Sequence, residues 1–72
     1  MRGNFLYKKI GERIIYKRKK KQISQEKLAF ASDIDRTYLS KIEKGSANPS
    51  LKVLHKISRK LGMRISRLLK DM

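Results

Sequence analysis

Apolar residues recur along this chain at helical spacing, in five stretches separated by short polar breaks. Leu6, Ile10 and Ile14 fall four apart, with Tyr7 on the same side. They predict a first helix from about Phe5 or Leu6 to Lys20, preceded by loose residues 1–4 with Gly3 as a breaker. Leu28 and Ala29 mark a second helix, about Gln25–Ser32, opened by Ser24, whose hydroxyl suits free backbone N–H groups. Leu39 and Ile42 mark a third, opened by Asp35 and stopped by Gly45. Leu51, Leu54, Ile57, Ser58 and Leu61 give the inner stripe of a fourth, capped by Ser50 and stopped by Gly62. Ile65-Ser66-Arg67-Leu68-Leu69 forms a short fifth without a strong cap, because Arg64 precedes it. The pattern is all-α. Phe30 breaks it, as an aromatic beside the buried positions of the second helix, and is expected to be exposed or half-covered.

The second and third helices are joined by Ser32-Asp33-Ile34 alone. With its apolar stripe turned inward, the third helix leaves Arg36, Thr37, Ser40 and Lys41 on one exposed face near its N-terminus. This is the layout of a helix-turn-helix whose second helix enters the DNA major groove. These four residues are the expected base readers. The Arg36 fork suits guanine O6 and N7, and the Thr37 methyl suits a thymine methyl. Lys44 and Asn48 are expected phosphate contacts, as is Ser24 together with the N-terminal amides of its helix. Tyr38 points to a phosphate or into the rim of the core. Asp35 caps the helix or accepts from a cytosine amino group.

Ser24-Gln25-Glu26, Leu28-Ala29, Ile34, the run from Arg36 to Glu43 and Gly45 together resemble the phage repressor and Cro-type (XRE-like) helix-turn-helix regulators. The likeness extends from about Ile10 to Leu69. The Arg36-Thr37-Tyr38-Leu39-Ser40 run is also similar to the controller proteins of restriction–modification systems. The resemblance implies a five-helix, lambda-repressor-like domain. It implies that Gln25 braces a phosphate and the third helix, and that Arg18 pairs with Glu43 to fix the first helix against the third, with Arg18 also near a phosphate. Two positions depart from the family pattern. Lys17 stands where an apolar residue is usual: either its stem lies along the core edge, or Ile15 and Tyr16 cover the gap. Asp33 stands where glycine is common, in a turn position that favours left-handed backbone.

Charge divides the labour. The net charge is +14, with +8 on residues 1–22, zero on 23–45 and +6 on 46–72. The reading unit is neutral between two basic flanks, which attract polyanions and release counterions from nucleic acid. Lys17-Arg18-Lys19-Lys20-Lys21 is either a solvated helix end beside the negative end of the helix dipole or a phosphate-contacting arm. Charge alone suits RNA or a ribosome equally well, so a basic RNA-binding structural protein is the alternative reading.

At 72 residues the chain makes one small domain, 1–72, with the helix-turn-helix at about 24–45 and the C-terminal helices at about 51–70. One such motif covers too few base pairs to specify a site, so a homodimer on two-fold double-stranded operator DNA is expected. Val53, Met63, Ile65, Leu68 and Leu69 exceed what one small core needs, and Val53, Met63, Ile65 and Leu68 are the expected dimer surface. There is no cysteine and a single histidine, His55. No metal site, cofactor or catalytic constellation is therefore expected, and the chain is not read as an enzyme. No apolar run approaches a membrane span, no signal-peptide core follows Met1-Arg2, and no ligand domain is recognisable. Cytoplasmic, nucleoid-associated action without a small-molecule ligand is the expectation.

Overall fold

The computed structural model describes residues 2–72 and consists of α1 (Arg2–Lys20), α2 (Gln25–Ala31), α3 (Arg36–Lys44), α4 (Leu51–Lys60) and α5 (Ile65–Leu68). Ile10 and Ile14 of α1, Leu28 and Ala29 of α2, Leu39 and Ile42 of α3, and Leu54, Ile57 and Leu61 at α4 close one core. Leu68 of α5 completes it. Ile23 and Ile34, in the two short connections, lie half-buried against it. α1 packs mainly on α3, and α5 closes back onto α4 and α1.

Helix ends follow side-chain chemistry. Ser24, Asp35 and Ser50 each accept a hydrogen bond from a backbone N–H of their own first turn, from Lys27, Thr37 and Val53 at 3.0, 3.1 and 3.1 Å. Each satisfies a donor that the helix itself cannot. Four helix ends share one stop. Gln22, Asp33, Gly45 and Gly62 all have positive φ, of 58°, 58°, 80° and 71°. The next residue's N–H then turns back to a carbonyl five positions earlier, as Ile34 does to Ala29 at 3.0 Å. Gly45 and Gly62 were legible as stops and Asp33 as a left-handed turn position; Gln22 was not.

Several expectations need correction. α1 begins at Arg2, so residues 2–4 are helical and Gly3 does not break the helix; Met1 lies outside the described residues. One glycine costs only about 1 kcal/mol relative to alanine, which a helix of this length absorbs. Leu6 and Leu51, placed on inner stripes, are 37% and 66% exposed. Leu51 sits in the first turn of α4, beyond the edge of the core. Tyr16 is 65% exposed and covers no gap at the core edge, whereas Ile15 and Lys17 are both half-buried. Leu68, expected on a dimer surface, is fully buried within the single chain.

Gly11 shows why α1 and α3 approach so closely. A Cβ there would collide with the carbonyl oxygens of Ile42 and Glu43. A glycine inside a helical pattern signals such an approach. Arg13 ties the C-terminal end to the same helix: its Nη1 donates to the carbonyls of Leu68 at 3.2 Å and Lys70 at 2.6 Å. These are carbonyls that α5 leaves free, and a cation suits them.

Candidate nucleic-acid interface

Arg36, Thr37 and Lys41 are exposed on α3, and Ser40 is partly exposed beside them. Leu39, Ile42 and Glu43 take the buried side. The structure thus brings all four expected base readers to one face of one helix. Asp35 is committed as the cap, its Oδ2 accepting from Thr37 N–H at 3.1 Å. Tyr38 is half-buried against the core, the rim position of its two alternatives. Phe30 is 88% exposed.

The helix is held by a network centred on Glu43. Arg18 Nε donates to Glu43 Oε2 at 2.8 Å and Nη2 to Oε1 at 3.1 Å. Gln25 Nε2 donates to the same Oε1 at 2.9 Å. Arg18 Nη1 donates to the Ile23 carbonyl at 3.0 Å. The Arg18–Glu43 pair therefore joins α1, the α1–α2 connection, the first residue of α2 and the last turn of α3. The side chains of Arg18 and Glu43 are 12% and 4% exposed, so the pair is shielded from water and geometrically fixed. Arg18 spends its guanidinium on protein acceptors, so a phosphate role for it is secondary to this one.

Around this face, Ser24, Lys44 and Asn48 are exposed. Lys19, Lys20 and Lys21 are exposed at the end of α1, and Lys20 Nζ lies 5.4 Å from the centre of the Tyr16 ring. Val53, Met63, Ile65 and Leu69, on α4, α5 and the residues beside α5, are half-buried against the core. Three structural residues carried little or no sequence signal. Gly11 was detectable as a glycine inside a helical pattern. Gln22 had no turn signature, and the carbonyls that Arg13 reaches lie more than fifty residues away in sequence.

Residues 14–68 match the family model described as Helix-turn-helix. The chain belongs to this family. It is 52% identical over 50 residues to the control protein C.BamHI of Bacillus amyloliquefaciens, covering 69% of this chain and 62% of that protein. It is 47% identical over 55 residues to the control protein C.MunI of a Mycoplasma species, covering 76% of this chain and 74% of that one. The crystal structure of the restriction-modification controller protein C.AhdI from Aeromonas hydrophila matches with a TM-score of 0.84 at 37% identity, covering 86% of this chain and 94% of that chain. The chain thus spans slightly under two thirds of C.BamHI and nearly all of C.AhdI. The structure is all-helical among the described residues.

Proposed function

We propose that this chain, a DNA-binding transcriptional regulator of the helix-turn-helix family, seats α3 in the major groove of a specific operator. The observation that carries the reading is the face formed by Arg36, Thr37, Ser40 and Lys41 on a helix locked from behind by Glu43. A base-reading helix needs exposed donors and acceptors in front and no rotational freedom behind. Arg36 takes a guanine, Thr37 a thymine methyl, and Ser40 and Lys41 the next bases along the groove. Ser24, Gln25, Lys44 and Asn48 contact phosphates and set the register; Tyr38 and Arg18 lie behind them and contribute at the margin.

The operator is two-fold and the protein binds it as a homodimer. The longest dimension of the chain is 30 Å, shorter than the ~34 Å between half-sites one turn apart, so one copy spans one half-site. The dimer surface uses Val53, Met63 and Ile65, which stay partly exposed, and not Leu68, which is spent in the core. The names of C.BamHI, C.MunI and C.AhdI support a role in controlling a restriction–modification system. The site of action is the cytoplasm, on the nucleoid; no described helix is long and apolar enough to cross a membrane.

Selection of bound sites from a random duplex pool tests the reading. Enrichment of two-fold sites, with half-sites separated by about one helical turn, is the expected outcome. Recovery of no common sequence, or tighter binding to duplex RNA than to duplex DNA, overturns it.

A further inference from the structure

α1 carries a second basic surface that the major-groove reading leaves unused. Gly11, Arg18 and the backbone at Lys8 face α3 and its end, where the Lys8 backbone lies against Gly45 and Arg18 meets Glu43. At 100° per residue, Lys9, Tyr16 and Lys17 emerge on roughly the other side of the same helix. There α1 and the segment leading into α5 form an open groove of about 610 Å³. Lys9, Tyr16 and Lys17 form one wall, and Met63, Arg64 and Arg67 the other. Glu12 is the acid in its lining, and Arg13 is already spent on the α5 carbonyls. Four cations thus remain against one carboxylate.

The same side of α1 presents two aromatics. Phe5 and Tyr16 are 70% and 65% exposed, eleven positions apart, which places them roughly 16 Å apart along the helix. Each has a lysine over its ring: Lys9 Nζ at 5.9 Å from the Phe5 centre and Lys20 Nζ at 5.4 Å from the Tyr16 centre. Exposed rings with cations across them, beside an open basic groove, are the elements by which proteins hold unpaired nucleotides. The groove follows the backbone, and the rings accept the faces of the bases. A duplex uses neither, because its bases are stacked inside and it is far too wide for a groove of small-ligand size. An acidic peptide would use the cations but leave Phe5 and Tyr16 unexplained.

We propose that the outer face of α1, with Lys9, Tyr16, Lys17, Arg64 and Arg67, binds single-stranded nucleic acid. This site is separate from the α3 face and does not depend on the operator reading. The test uses the full chain and fluorescence anisotropy with three probes: labelled oligo(dT) and oligo(U) of about 12 nucleotides, and a random duplex of the same charge. Tyr16→Ala should weaken both single strands about ten-fold and leave the duplex within about two-fold, while Tyr16→Phe retains the affinity. Arg64→Gln with Arg67→Gln should weaken the single strands and flatten their salt dependence. Arg36→Ala should leave both single strands within about two-fold, because Arg36 lies on α3 and not on this face. Circular dichroism confirms that each variant is folded; Tyr16 is outside the core, so its loss should not disturb the helices. Three results overturn the proposal: equal loss of single strand and duplex in Tyr16→Ala, no loss of either, or displacement of the single strand by a charge-matched oligoglutamate as effectively as by unlabelled strand.

Discussion

The guanidinium of Arg18 and the carboxylate of Glu43 meet as two parallel hydrogen bonds, of 2.8 and 3.1 Å, across the α1–α3 contact. Both side chains are largely removed from water. Removing one partner leaves the other buried and uncompensated, at a cost of about 3–5 kcal/mol. Small domains have about 5 kcal/mol or slightly more to lose. Arg18→Ala or Glu43→Ala should therefore leave the chain only marginally stable at 25 °C, with its urea midpoint moved close to zero denaturant, as read by urea titration with circular dichroism. The double variant Arg18→Met/Glu43→Leu should recover much of that stability and still bind DNA poorly, because Gln25 has lost its anchor. Full binding by the folded double variant would show that the network matters for folding alone.

Arg36 is exposed at the first position of α3. Arg36→Ala should cost about 1–3 kcal/mol on the preferred operator and relax selection at one base pair per half-site. Binding-site selection with the variant checks this. Equal weakening on all sequences would reassign Arg36 to a phosphate.

Lys44 lies exposed at the end of α3. Lys44→Gln should lower affinity by the same factor on every duplex and reduce the slope of log K against log salt by about 0.9. Titrations at several salt concentrations would reveal a decorative lysine by an unchanged slope.

Asp33 and Gln22 hold left-handed backbone with a Cβ, which costs about 1–2 kcal/mol relative to glycine. Asp33→Gly and Gln22→Gly should each raise stability by about 1 kcal/mol, or the melting temperature by about 4–8 °C in a domain of this size. Calorimetry decides it, and a lower melting point for Asp33→Gly would mean that its carboxylate makes a compensating contact.

Ile65 and Leu68 lie three apart on α5 but differ in exposure: Ile65 is half-buried, Leu68 fully buried. Ile65→Lys should weaken dimerisation and operator affinity while the monomer stays folded. Leu68→Ala should instead destabilise the monomer itself by about 2–5 kcal/mol. Sedimentation beside urea unfolding separates the two, and an Ile65→Lys protein that still dimerises at wild-type strength would move the interface elsewhere.

Most of the reading unit was legible from the chain alone. Ser24, Asp35 and Gly45 act locally, through hydrogen bonds and backbone angles within a few residues, so their roles follow from residue type and neighbours. The face of Arg36, Thr37, Ser40 and Lys41 follows from helical period once Leu39 and Ile42 are known to point inward. The Arg18–Glu43 pair was reached only through family resemblance, because nothing in spacing links positions 25 residues apart.

What the sequence determined by itself is therefore local: five helices, most of their caps and stops, the neutral reading unit and its basic flanks. Tertiary structure alone decided which stripe residues were spent in the core and which were left over. Leu68 went inside and Leu51 outside, although both sit at helical spacing on apolar faces. Burial depends on how far each helix end overhangs its neighbours, and that is set by packing between elements distant in sequence. The same packing carried Arg13 to the carbonyls of α5 and left Phe5 and Tyr16 uncovered on the outer side of α1.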